Sequence, residues 1–301
     1  MNKKLKFIVA GISLFIIIIS VCACTIYTYK SKSDDISKDS ESVITEQQEI
    51  DNQTDETQEA VENDEQRYDV LYYEKYIKAN EDNFYSNAKA GEANDKLFEQ
   101  LFITYIKTVD IMNEEVANEL DLDDVQDNYY KTSWEKIWAE EGNQYYDLNR
   151  QYLAKKYEKY ISPAYYEWLN HLDKTAKLTN DAALTITPDE LREYIIYLEK
   201  FKEKYPDFID INGVNLILNG YLEIYLMGLD NTRVFIDWEN KMNPEFKSSY
   251  EKFLSENKDS KYYNMVEELY NKAKENNFKC DDKLIEWHQE VFFQKYLKKE
   301  N

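Results

Sequence analysis

The chain has 301 residues, is 43% hydrophobic and 15% aromatic, and carries a formal charge of -22. That much apolar content supports a sizeable core and excludes disorder throughout. The acidity excludes nucleic acid and anionic polymers as partners, because both need neutralising clusters of Lys or Arg. Basic residues are 33 Lys against four Arg, which with the abundant Asn, Ile and Tyr suggests an AT-rich bacterial genome.

Residues 1–30 read as a membrane anchor. Lys3, Lys4 and Lys6 precede an uncharged stretch from Phe7 to Tyr29, closed by Tyr27, Tyr29 and Lys30. A bilayer core takes about 20 apolar helical residues, with Tyr at the headgroups and Lys beyond them. The basic N-terminus places the rest of the chain on the extracytoplasmic side. Two anchoring mechanisms fit: an uncleaved transmembrane helix, or a lipoprotein signal. Val21-Cys22-Ala23-Cys24 resembles the bacterial lipobox and makes Cys24 the lipidation candidate, although Cys22 departs from the usual small residue and the apolar run continues past it. A cleaved secretory peptide would have to use Ser20-Val21-Cys22, which is a poor site.

Residues 31–66 hold 13 acids and two Lys, with Val43, Ile44 and Val61 as isolated apolar points. Such a segment cannot bury enough surface to offset chain entropy, so a disordered acidic linker is expected, held extended by its own repulsion. Residues 67–301 retain a net charge of -15 and form the expected extracytoplasmic helical domain. Its only cysteine is Cys280, read as a spectator thiol, so the domain rests on its core and not on a disulfide.

The fold class expected for this domain is all-α, as a multi-helix bundle or irregular α-solenoid. Leu97, Leu101, Tyr105, Val109, Met112 and Val116 line one helical face, widened by Phe98, Phe102 and Ile106. Asp121, Asp123, Asp124 and Asp127 resemble a calcium loop but lack its glycine and its closing glutamate. Between residues 134 and 168 rings crowd together: Trp134, Trp138, Tyr145, Tyr146, Tyr165, Tyr166 and Trp168 exceed what one helix face buries, and mark a candidate aromatic binding patch. The plain reading of the same residues is core packing with hydroxyls at the rim.

Further along, Ser162-Pro163, Thr187-Pro188-Asp189-Glu190 and Asn243-Pro244 pair a capping side chain with a proline at the first helical position, and Glu190 is placed to close a capping box. Tyr205-Pro206 ends the helix begun at Pro188. Val214 to Leu229 is apolar almost all round and reads as a buried core helix, with Gly228 able to supply a left-handed cap. Asp210-Ile211-Asn212-Gly213 has the spacing of part of a calcium loop without its end ligands. Arg233 to Asp237 is the only run left open as a strand. Ser260 and Asp281 are further cap candidates.

Tyr73-Glu74-Lys75-Tyr76-Ile77 and Tyr250-Glu251-Lys252-Phe253-Leu254 are followed by Asn, Asp, Tyr and Asn at matching offsets, with partial copies at Tyr157 and Leu198. The spacings are irregular, which favours coincidence over a solenoid period. Of two histidines, His288 falls on an apolar stripe and reads as a core residue bonded to a carbonyl, while His171, four residues after Glu167 on one helix face, could form half a metal site but reads by default as half of a surface ion pair. No phosphate loop, nucleophile elbow or zinc-protease string occurs, so the sequence assigns no catalytic, cofactor or metal residue.

These features point to a membrane-tethered binding or scaffolding module of the bacterial envelope, with a protein, peptide or glycan partner. The alternative is an envelope hydrolase acting on glycan or peptide through a carboxylate pair in a deep cleft. A solute-binding lipoprotein would need two α/β lobes, and strand signals are too few.

Overall fold

The computed structural model describes residues 70–117, 133–138 and 144–297. The expected anchor with Cys24, the acidic linker and the Asp121 to Asp127 cluster lie outside the described residues. What is described is mostly helical, with four short antiparallel hairpins. It separates into two compact units.

The first unit begins with α1 (Val70–Asn87) and α2 (Asp95–Ala117), which pack together. The expected stripe folds as α2, with Phe98, Leu101, Phe102, Tyr105, Val109 and Met112 all buried. A hairpin of β1 (Trp134–Trp138) and β2 (Gln144–Leu148) follows, in register from Trp134 opposite Leu148 to Trp138 opposite Gln144. This hairpin corrects the helical expectation for the segment. Trp134, Ile137 and Trp138 recur at helix spacing, yet alternation governs β2, where Tyr146 and Leu148 are buried and Tyr145 is exposed. The outer edge of β2 is closed by a side chain: the Tyr146 N–H donates to Asn113 Oδ1 (2.6 Å), and Asn113 Nδ2 donates to the Tyr146 carbonyl (2.9 Å). Asn113 thus stands in for a strand. Then come α3 (Arg150–Tyr157) and α4 (Pro163–Lys174), packed on each other. Residues 207–209 also belong to this unit, and Phe208 packs edge-on to Tyr165 and Trp168.

The second unit opens with a hairpin of β3 (Thr179–Asn180) and β4 (Ala183–Leu184), then α5 (Pro188–Lys204) and α6 (Ile211–Met227). Two further hairpins, β5 (Gly228–Leu229) with β6 (Thr232–Arg233) and β7 (Phe235–Ile236) with β8 (Lys241–Met242), lead into α7 (Pro244–Glu256) and α8 (Tyr263–Glu275). The run left open at Arg233 to Asp237 therefore does hold strand, and each piece has its own partner. The chain finishes with α9 (Asp282–Glu286), a π-helical turn over Trp287–Phe292, and α10 (Phe293–Tyr296).

Capping chemistry sets the helix starts. Thr187 and Glu190 form a reciprocal box, Ser162 accepts from Tyr165 N–H, Asn243 from Glu245 N–H and Asp281 from Leu284 N–H. Ser260 bonds Tyr262 N–H in the turn before α8 instead of capping the helix. Asp210 is the N-cap of α6, accepting from Gly213 N–H at 3.1 Å, which gives that aspartate a structural role in place of a calcium one. A Cβ on Gly213 would fall 2.3 Å from the Asp210 carboxylate. At the other end Gly228 has φ +77°, and a Cβ there would meet the Thr232 carbonyl at 2.7 Å. Between these caps α6 buries Val214, Leu218, Tyr221, Leu222, Tyr225 and Leu226. Among the described residues no helix is long and apolar enough to cross a membrane.

Both units place hairpin strands between two helix pairs, one hairpin in the first and two in the second, which also opens on a hairpin and ends on short helical turns. The sequence recurrence does not follow that order. Tyr73 lies in α1, a first-pair helix whose register continues through Asn80, whereas Tyr250 lies in α7, a second-pair helix that Asn257 ends. The resemblance is one of composition.

Candidate binding groove

α3 is two-faced. Leu153, Ala154 and Tyr157 are buried, and Gln151, Tyr152, Lys155 and Glu158 point the other way. Across from them α4 presents Tyr166 and Asn170, and the two rows enclose a groove of about 480 Å³ whose remaining wall is Asn149. That volume lies within the range of small-ligand sites.

The side chains on this groove are held by local bonds. Asn149 Oδ1 is committed to the Tyr152 N–H (2.9 Å) as the α3 N-cap, and Asn170 Nδ2 to the Tyr166 carbonyl (2.7 Å). Asn149 therefore keeps its amide hydrogens for a ligand and Asn170 keeps its oxygen. Gln151, Lys155 and Glu158 side chains and the hydroxyls of Tyr152 and Tyr166 make no hydrogen bond among the described residues.

Behind the groove the buried face of α3 is fixed by one carboxylate. Glu81 of α1, 3% exposed, accepts at Oε1 from Lys156 Nζ (2.6 Å), from the Tyr157 hydroxyl (2.8 Å) and from the Tyr105 hydroxyl. Burial pushes both tyrosines far above the usual phenol range, and the neighbouring Glu81 charge adds to it. They remain donors at any physiological pH. Tyr85 stacks on Tyr157 with ring centres 5.9 Å apart, and burial is the main cause of its rise to about 12.

The rings of the expected aromatic patch divide. Trp134, Tyr146, Tyr165 and Trp168 are buried, with Tyr165 and Trp168 at 2% exposure or less. Tyr145 and Tyr166 are exposed, and only Tyr166 reaches the groove. Trp138 takes its place in β1, and its side chain lies outside the description. The other groove residues, from Asn149 to Glu158 and Asn170, carry no mark in sequence beyond falling on the solvent face of a short helix.

His171 corrects an expectation. It is buried and stacks on Trp168 at 5.9 Å with the planes 16° apart, and burial lowers its pKa to about 4, helped by Lys174. The ring is a core residue and not the surface group that its spacing from Glu167 suggests. His288 lies where its stripe predicts: Nε2 is 2.8 Å from the Leu226 carbonyl, and the ring packs edge-on to Phe235. Cys280 is buried and forms no disulfide. Among the described residues no cluster of His, Cys, Asp and Glu could hold a metal ion.

Comparison with known proteins finds no matching family model, no similar curated protein and no similar solved structure. The functional reading therefore rests on the chain itself.

Proposed function

We propose that this protein is a membrane-tethered, extracytoplasmic helical module of the bacterial envelope that binds a partner through the groove between α3 and α4. The tether rests on the apolar stretch from Phe7 to Tyr29 and its basic flank. One observation carries the binding reading: two phenols, one of them exposed, and uncommitted amide and charged groups converge on a concave surface backed by a buried carboxylate that gathers three donors. The finer architecture we read as a bundle of helix pairs, not a solenoid, since the sequence recurrence has no structural register. Hydrolysis by a carboxylate pair has less support. Glu158 is the single carboxylate on the groove, and that chemistry needs two facing each other.

Photo-crosslinking on intact cells tests this reading. A benzophenone amino acid replacing Tyr166 in the full chain is expected to give a discrete adduct, and the same group replacing exposed Lys258 none. Equal labelling at the two positions would remove the groove from consideration. Protease added to intact cells should digest residues 67–301; survival until lysis would reverse the sidedness.

A further inference from the structure

Because the proposed groove is built by helices, it offers an incoming chain no strand edge. Helix interiors bond their main-chain groups internally, and at the helix starts the N–H groups of Gln151, Tyr152 and Tyr165 are taken by the side chains of Asp173, Asn149 and Ser162, so an extended peptide would find no backbone ladder there. Nor would its apolar side chains find a pocket, since the rings of Tyr152 and Tyr166 are the only large apolar surfaces on the lining and no aliphatic residue lies on it. A hydrophobic peptide anchor needs a desolvated apolar hole, which this groove lacks.

Charge narrows the ligand further. Lys155 and Glu158 are the only ionic groups on the lining and cancel, although the whole chain carries -22. An anionic polymer would meet the negative field of the molecule with one lysine to offset it, and a cationic one would find more acids almost anywhere else. A neutral polar ligand escapes both penalties.

The hydrogen-bonding groups are mixed in sign and close together. Asn149 offers donors, Asn170 an acceptor, Gln151 both, and the hydroxyls of Tyr152 and Tyr166 both. Vicinal hydroxyls on a sugar ring each donate and accept, which matches such a set. The apolar C–H face of the same ring packs against a phenol. We infer that the groove between α3 and α4 takes a neutral oligosaccharide, with Tyr166 and Tyr152 as stacking rings and Gln151, Asn149 and Asn170 reading its hydroxyls. This rests on the reading of the groove as the binding site.

The test is a titration of the full-length chain, followed by saturation-transfer NMR, with four trisaccharide probes and one peptide pool. Triacetylchitotriose and maltotriose are neutral, trigalacturonate is anionic and triglucosamine is cationic; the pool is mixed-sequence hexapeptides. At least one neutral trisaccharide is expected to bind, to outcompete the charged probes, and to lose fivefold or more in affinity with each of Tyr166→Ala and Gln151→Ala. Both positions are solvent-facing, and far-UV circular dichroism checks that the variants fold. Preference for a charged trisaccharide, or neutral binding that neither variant weakens, overturns the assignment. If the peptides bind, Tyr166→Ala abolishes that binding and no sugar binds, the sugar assignment fails while the groove stands as a binding site. If no probe binds and the Tyr166 crosslink is also absent, both fail.

Discussion

The two units solve one problem with opposite charges. Each must hold its first helix against its third, and each does so through a buried ionic side chain. In the first unit Glu81 of α1 draws Lys156 and Tyr157 of α3 and Tyr105 of α2 onto a single oxygen. In the second, Arg192 of α5 donates to Asn257 at the end of α7 (3.0 Å) and to Asp189 (2.7 Å), with Glu256 at 3.5 Å, while Lys252 of α7 reaches Asp189. The difference lies in where the partners stand. Those of Glu81 are largely buried, whereas Asp189 and Glu256 keep 36% and 53% of their side chains in water. A carboxylate only accepts, so it gathers donors inward; a guanidinium fans five donors toward a rim. The sign of the buried charge thus sets how much of the network water can replace.

The largest expected effect follows directly. Glu81→Ala leaves Lys156 and two tyrosine hydroxyls without their acceptor and should cost about 3–5 kcal/mol. Arg192→Ala leaves partners that water can reach and should cost about 1–2 kcal/mol. Hydrogen exchange reads the two units separately, with α1–α4 losing protection in the first variant and α5–α8 in the second. Equal losses would break the comparison.

Acid should then act on both units alike. His171 in the first and His288 in the second are buried and neutral, with pKa lowered from 6.5 to about 4. For a base depressed in the folded state, the unfolded chain takes up the proton first. Stability is therefore flat above pH 6.5 and falls as pH drops toward 4, by roughly 3 kcal/mol per histidine. Asp189 adds a smaller loss in the second unit alone. Burial tends to raise its pKa, but bonds from Arg192 and Lys252 hold it below the carboxylate range, so its contribution is present above the unfolded value and disappears as pH falls through the folded one. Urea midpoints between pH 7 and 4 measure the slope, and His288→Gln should flatten it in the second unit only.

Local substitutions sharpen the picture at smaller scale. Thr187→Ala removes the hydroxyl that accepts from the Glu190 N–H, leaving only the backbone half of the α5 capping box, and should lower the urea-derived stability by about 1 kcal/mol. Ala182→Gly should raise it by about 0.5 kcal/mol, because Ala182 sits at φ +53° in the β3–β4 turn, where glycine carries no penalty.

What could be read from sequence was what local chemistry decides. Thr187-Pro188-Asp189-Glu190 announces a helix start because cap, proline and box partner lie within four residues, and Tyr205-Pro206 announces its end for the same reason. The stripe of α2 and the carbonyl-bonded His288 followed from periodicity. The hairpin at residues 134–148 did not, since Trp134, Ile137 and Trp138 fall at a spacing that suits a helix and the partners that make them a strand lie 14, 8 and 6 residues away. The Glu81 hub was hidden for another reason: among 59 acids, nothing in the neighbours of one glutamate says that it will be buried. The groove shares that invisibility. Gln151, Tyr152 and Lys155 are ordinary surface helix residues until α4 is laid beside them.

Asn113 has a consequence for self-association. A two-stranded ribbon invites accretion, because its outer rim can template another chain. By occupying the rim of β2 with a single carboxamide, α2 denies that docking strip to neighbours. The amide acts as a guard against fibre growth.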